Sequence, residues 1–184
     1  MKIDFSRNIN NNFIEQILEI DNTIYPDYMC GSYESINQRF KKNQDSYILV
    51  YDDKKVIGYF CFFPIVNNLY ELILKSNKMF DDNILPKDIC EYSSFNNLFL
   101  ISVAILPEYQ DKKSIILLTN GFKQFLKEKL EEGCVINSIT ATAVSEDGKK
   151  LLRYLCFDSI RTIENSYELF YCDSNGIERM IASE

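Results

Sequence analysis

The sequence has no histidine. This excludes Ser-His-Asp and Cys-His nucleophilic catalysis, and every zinc site that uses an imidazole. Any general base must be a carboxylate, a cysteine, a lysine, a tyrosine or water. Chemistry resting on positioning, carbonyl polarisation and amine deprotonation stays open, acyl transfer from a thioester to an amine among it. No C-x-x-C pair occurs among Cys30, Cys61, Cys90, Cys134, Cys156 and Cys172. Neither a metal site nor a disulfide framework is therefore expected, and cysteines in apolar runs read as small buried hydrophobes. No apolar run approaches the ~18–20 residues of a membrane span, and Met1-Lys2-Ile3-Asp4-Phe5 lacks the apolar core of a signal peptide. A cytoplasmic protein without membrane contact is the expectation. Basic runs are also missing: 20 Lys and Arg stand against 27 Asp and Glu, a net charge of −7, which argues against nucleic-acid partners. Repeats, linkers and low-complexity stretches are absent, so the 184 residues are expected to form one domain, 1–184.

What is present centres on residues 98–130. Leu98-Phe99-Leu100-Ile101-Ser102-Val103-Ala104-Ile105 is a continuous apolar run broken by one serine, suited to a strand buried on both faces. Leu106-Pro107 ends it, and Glu108-Tyr109-Gln110-Asp111-Lys112-Lys113 forms a polar turn. Ile115, Leu118, Phe122, Leu126 and Leu130 then mark the stripe of an amphipathic helix. Strand, loop, helix: this order turns the free amides of the helix start toward the strand's end, where a phosphate fits. Lys112 and Lys113 add positive charge there. An ordinary βα unit with a solvated lysine pair has the same pattern.

Around this unit the periodicities predict a short strand at Ile3–Phe5 and a helix from about Asn11 to Asp21, stopped by Tyr25-Pro26. A second helix follows Ser32, its candidate N-cap. Residues 46–51 and 56–63 form a hairpin about Asp52-Asp53-Lys54, closed by Pro64. Leu69, Leu72 and Ile73 suggest a helix within 65–97, with turns at 81–83 and 85–88. Gly133 is a C-cap candidate. Ile136 to Ala143 alternates as a strand with one polar face, Ser145 is placed to cap a helix carrying Leu151, Leu152 and Leu155, and strands near 158–162 and 166–172 end the domain.

Val103-Ala104-Ile105-Leu106-Pro107-Glu108-Tyr109-Gln110 before a helix resembles the coenzyme-binding segment of the GNAT family of N-acetyltransferases. In that family the loop reads Gln or Arg, two residues, Gly, one residue, then Gly or Ala. Gln110 matches the first position, while Lys113 and Ile115 stand where the small residues belong. The hairpin from Ile48 to Pro64, with Gly58 after two β-branched residues, resembles the family's central hairpin. The resemblance implies an α/β (α+β) fold with a mixed, mostly antiparallel central sheet, its fourth and fifth strands splayed, flanked by helices. It implies acetyl-CoA or another acyl-CoA as co-substrate, no metal, and transfer to a small-molecule or peptide amine by direct attack. Carried over, the main chain of Val103, Ala104 and Ile105 holds the pantetheine arm. The amides of Gln110, Asp111, Lys112, Lys113, Ser114 and Ile115 take the pyrophosphate, and Ser145 falls where an Asn touches the coenzyme. The family's Tyr-x-x-x-Gly-Phe acid motif reads here with Leu152 at the Tyr and Cys156 at the Gly. That leaves Tyr154 as the candidate acid and Glu91 as the candidate base. Two alternatives stay open: a catalytically impaired coenzyme-binding module, and a protein-interaction module whose gap is filled by Tyr109 or Ile115. Segment 65–97 is a candidate acceptor-side insertion. Its carboxylates, Glu71, Asp81, Asp82, Asp88 and Glu91, suit either a cationic amine or plain solvation. The last strands are candidates for pairing in a homodimer.

Overall fold

The computed structural model describes residues 1–9, 13–80 and 84–183. Its strands are β1 (Lys2–Phe5), β2 (Tyr47–Asp52), β3 (Lys55–Ile65), β4 (Asn96–Ile105), β5 (Ile136–Ala143), β6 (Asp158–Thr162) and β7 (Glu168–Asp173). They form one seven-stranded sheet in the order β1-β2-β3-β4-β5-β7-β6. Neighbours are antiparallel except β4 and β5, which run parallel. The helices are α1 (Phe13–Ile24), α2 (Tyr33–Lys42), α3 (Asn67–Lys75), α4 (Lys112–Glu131), α5 (Glu146–Tyr154) and α6 (Ser174–Ala182). None of the described helices is long and apolar enough to cross a membrane.

Both sheet faces are covered, which accounts for the uninterrupted apolar runs of β3 and β4. On one face α4 buries Leu118, Phe122, Phe125 and Leu126 against Ile48, Phe60, Phe62 and Leu98. The Phe60 and Phe122 rings stack with centroids 4.9 Å apart. On the other face Phe13, Ile17 and Ile20 of α1 and Phe40 of α2 pack on Tyr47, Tyr59 and Phe63. Ile115 and Leu130, the ends of the expected α4 stripe, are more than a third exposed.

The local signals act as anticipated at several termini. Ser32 caps α2 by accepting from the Ser35 amide at 3.2 Å. Gly133, at φ +87°, turns the chain after α4 in the left-handed region that glycine enters without strain. The residues at the expected start of α1, 10–12, and the turn expected at 81–83 lie outside the described residues.

Several expectations need correction. Pro64 does not close β3; it is a strand residue paired with Leu98, and its carbonyl accepts from the Cys90 amide. The polar face expected of β5 is present and lies inside the protein: Ser138 and Thr140 are buried, bonded to Asn97 Oδ1 and to the Leu98 carbonyl. The chain ends in a helix rather than a strand. Asp173 caps α6 by accepting from the Gly176 amide at 2.7 Å, and Ile177 and Met180 are buried.

Two expectations follow. A Cβ at Gly58 would meet the Ala104 carbonyl oxygen at 2.8 Å and the Ile105 Cα at 3.2 Å. Backbone cannot yield as a flexible side chain does, so Gly58→Ala should cost about 1–3 kcal/mol in denaturant unfolding; an unchanged midpoint would contradict this contact. The second concerns acid. Burial works to raise the Glu128 pKa, but hydrogen bonds from Gln124 and Arg7 outweigh it and hold the carboxyl below its ordinary range. Glu168 is lowered by hydrogen bonds from Lys149 and Ser159. Carboxylates lowered by folding add stability above their unfolded pKa, about 4.3 for Glu, and lose it as pH falls through the folded value. The thermal midpoint should therefore fall below about pH 4; a flat profile down to about pH 2 would show that these contacts contribute nothing.

Candidate functional site

Residues on β4 and β5 pair from Asn96 with Ile136 to Leu100 with Ala141, and there the ladder stops. Beyond it β4 continues to Ile105 against β3, and β5 continues to Ala143 against β7. The register of β4 against β3 shifts at the same place, Phe62 facing Leu100 and Cys61 facing Ser102, so Ile101 is an extra residue. Such a bulge bends its strand. It turns β4 away from β5 and opens a gap in the middle of the sheet.

The strand's two-residue alternation decides which groups face that gap. Leu106 donates its amide to the Ile57 carbonyl, and the Ala104 carbonyl lies against Gly58, so these even-numbered residues face β3. Val103 and Ile105 consequently turn N–H and C=O toward the gap. Their carbonyls are met by side chains: the Tyr25 hydroxyl donates to Val103 O at 3.0 Å, and Gln110 Nε2 donates to Ile105 O at 2.8 Å.

A cavity of about 1110 Å³ occupies the gap, lined by residues from both sides of the sheet. On the α4–α5 side its lining includes Gln110, Lys112, Ile115, Ser145, Lys150 and Tyr154. On the α1 side it includes Tyr25, Tyr28, Met29, Met79, Phe80 and Tyr167, and the Tyr28 and Tyr167 hydroxyls stand 3.5 Å apart.

Of the residues singled out in the sequence, Val103, Ala104, Ile105, Gln110, Lys112, Ile115 and Ser145 all line this cavity. Ser145 also caps α5, its Oγ accepting from the Gly148 amide at 3.1 Å. Lys113 is the second residue of α4 and therefore helical, so the loop asks no left-handed conformation of it. Neither Asp111, Lys113 nor Ser114 is part of the lining. Ser114 is fully buried, and its amide is taken by the Asp111 carboxylate at 2.7 Å. That hydrogen bond is the main cause lowering the Asp111 pKa. The α4 start therefore carries a carboxylate of its own where an anion would sit, a correction to the expectation that all its amides are available.

The two catalytic candidates fare differently. Glu91 lies outside the cavity, at the other end of β4, beside Arg7, Tyr92, Lys129 and Glu132. From Asn96 to Val103 the strand alone spans about 23 Å at ~3.3 Å per residue, which is too far for a base working through one water. Tyr154 does reach the cavity, at its rim; it is half exposed, with Lys123 Nζ 5.4 Å from its ring centroid. Leu152, at the position of the usual acid, is buried in the core. Cys156 takes φ +63°, a backbone geometry that explains the glycine expected there. The gap is not plugged by Tyr109, whose hydroxyl donates to Asp52 at 3.2 Å. Among the described carboxylates of 65–97, Glu71 pairs with Lys75 and Asp88 accepts from the Leu85 amide; neither they nor Glu91 line the cavity.

The structure also assembles polar groups that the sequence did not single out. Tyr59 OH donates to Asp21 Oδ1, the Tyr59 and Ser102 hydroxyl oxygens are 2.9 Å apart, and the Ser102 and Tyr25 hydroxyl oxygens are 3.2 Å apart. The chain runs from a buried carboxylate on α1 to the free edge of β4. Burial is the main cause raising both phenols, Tyr59 well above its ordinary value and Tyr25 to about 12, and the Asp21 charge adds to both. Both are protonated donors at neutral pH. The signal was a carboxylate inside an apolar stripe, Asp21 four residues after Ile17; Tyr25 read only as the residue before a proline.

Splayed parallel strands inside an otherwise antiparallel sheet, with a bulge on the fourth, decide the architecture. The chain carries the GNAT fold. Solved structures agree. The loading GNATL domain of CurA from Lyngbya majuscula superposes with a TM-score of 0.69 at 14% identity, over 97% of this chain and 98% of that one. A PaiA N-acetyltransferase from Thermoplasma acidophilum in complex with coenzyme A gives 0.58 at 14% identity, covering 94% and 99%. The GNAT-like decarboxylase GphF in complex with isobutyryl-CoA gives 0.64 at 8% identity, covering 94% and 99%. No protein-family model matches the sequence, and no curated protein does. At these identities the likeness concerns the fold.

Proposed function

We propose that the protein transfers an acetyl or other acyl group from acyl-coenzyme A to an amine. The observation that carries this reading is the edge of β4 at Val103 and Ile105, unpaired with β5 and facing a cavity lined from both sides of the sheet. An extended pantetheine arm has amides spaced to pair with such an edge as an added strand would. Lys112 and Lys150 stand on the α4–α5 side, where a pyrophosphate would lie beside the helix start. Two structural neighbours were solved with coenzyme A or an acyl-CoA, which supports the same class of co-substrate. One of them is a decarboxylase, so the fold alone does not select the reaction.

The acceptor enters from the α1 side. Aromatic rings and methionine sulfurs dominate its lining there, and among the described residues Asp21 is the lining carboxylate on that side. This favours an amine with an apolar or aromatic body over a polycation. Direct attack needs no covalent enzyme intermediate, which suits a chain without histidine. A second reading, a coenzyme-binding module without turnover, is favoured by Leu152 at the acid position. Pairing of two copies would use the outer edge of β6, the last strand of the sheet.

Acetyl-CoA at about 100 times its dissociation constant should stabilise the fold by roughly 2.7 kcal/mol. No shift in the thermal midpoint would sink the coenzyme reading. Free-thiol release with aromatic, aliphatic and polyamine acceptors then separates transfer from binding; a shift with no thiol release favours the module. Asp111→Asn keeps a capping side chain and removes the charge at the α4 start. Coenzyme A should bind roughly threefold tighter to it in a calorimetric titration. Equal or weaker binding would show that Asp111 does not face the phosphates.

A further inference from the structure

The acyl-transfer reading leaves the site without its usual acid, and the buried hydroxyl chain offers another polar group at the right place. Tyr25 precedes Pro26 at the end of α1, and its side chain reaches the free edge of β4. The carbonyl it meets, Val103 O, faces the gap itself, so the hydroxyl lies inside the space that a thioester arm would occupy. Behind it stand Ser102, Tyr59 and Asp21, joined hydroxyl to hydroxyl to carboxylate. The Asp21 carboxylate accepts from Tyr59, which leaves the Tyr59 oxygen to accept from Ser102, while the single Tyr25 proton goes to Val103 O. The row ends with the Ser102 oxygen 3.2 Å from that of Tyr25, whose proton points at the β4 edge.

We propose that Tyr25 is the hydrogen-bond donor that stabilises the negative charge developing on the thioester oxygen, with Ser102 and Tyr59 as its positioning residues. This rests on the acyl-transfer reading. In the resting site the Tyr25 proton is held by Val103 O. A pantetheine amide that binds Val103 O takes that acceptor away and leaves the proton for the thioester. The amine lone pair attacks the carbonyl carbon, a C–N bond forms, and the carbonyl π pair moves onto oxygen, where Tyr25 meets it. When the pair returns, the C–S bond breaks with its electrons on sulfur. The thiolate takes the proton that nitrogen sheds, so amine and thioester become amide and thiol with no further reactant. Tyr25 keeps its own proton throughout, consistent with burial holding the phenol at a pKa of about 12. A donor already fixed in a water-poor site needs no reorganisation as charge develops.

The test is Tyr25→Phe, which keeps the ring and removes only the hydroxyl. We expect kcat for acetyl transfer to fall by about 10²–10³, with the acetyl-CoA dissociation constant and the amine KM within a few-fold of the parent protein. Ser102→Ala should lower kcat by a smaller factor, again without moving KM. Tyr25→Phe with kcat within about threefold of the parent overturns the assignment and leaves the acyl-transfer reading standing. A loss that lies wholly in coenzyme affinity overturns it too, because the hydroxyl then serves only to shape the gap. If the parent protein binds acetyl-CoA but turns over no amine, the assignment and the transfer reading fall together.

Discussion

Two parallel strands that stop pairing in the middle of a sheet leave main-chain donors and acceptors with nowhere to go. A buried backbone amide or carbonyl without a partner costs about as much as a lost hydrogen bond, so the interruption has to be compensated. Here the compensation is local. The Val103 carbonyl accepts from Tyr25 and the Ile105 carbonyl from Gln110, both through side chains rather than a neighbouring strand. Much of the site follows from this: the bulge at Ile101 opens the gap, the helices α4 and α5 wall one side, and the α1–α2 connection walls the other. Gly58 belongs to the same arrangement, since only a residue without Cβ lets β3 lie close enough to support the diverging end of β4.

The second constraint is electrostatic. A carboxylate buried beneath an apolar lining is tolerated only when it is hydrogen-bonded, and Tyr59 supplies one such bond to Asp21. The consequence spreads outward, because each hydroxyl in the row is turned by the one behind it. At the opposite side of the cavity the charges are exposed: Lys112 lines it, Lys150 pairs with Asp147 at 2.9 Å, and Asp111 holds the first turn of α4. The cavity therefore joins an exposed entrance carrying Lys112 to an aromatic one with a polar seam between. A molecule with an anionic head, an extended amide arm and a reactive end matches that gradient.

Some of this was legible in the chain and some was not, for reasons that differ by residue. The β4–loop–α4 unit could be read because a two-sided buried strand and an amphipathic helix each leave a periodic trace. At β5 the alternation gives a strand with one polar face but not its surroundings: Ser138 and Thr140 are buried, satisfied by Asn97 and the Leu98 carbonyl. Helix α6 has ordinary start and packing signals in Asp173 and the Ile177–Met180 pair, but the strand that runs directly into it masks the change of period. Only nearness in sequence links Glu91 to the site. Ten residues of extended strand carry it to the far end of the sheet, which no local pattern encodes.

The sequence by itself determined the order of the main elements up to β7, the hairpin at Gly58, the helix caps at Ser32 and Ser145, and the absence of imidazole chemistry. All of these depend on residues within a turn or two of one another. Only the tertiary structure decided that β4 and β5 part at Leu100 and Ala141, and that Tyr25 crosses to Val103. It likewise decided that Asp21 stands behind Tyr59 while Glu91 stands elsewhere. Those facts join residues 38 to 78 positions apart. Contacts across such separations are set by how two packed faces share one sheet, which periodicity along the chain does not specify.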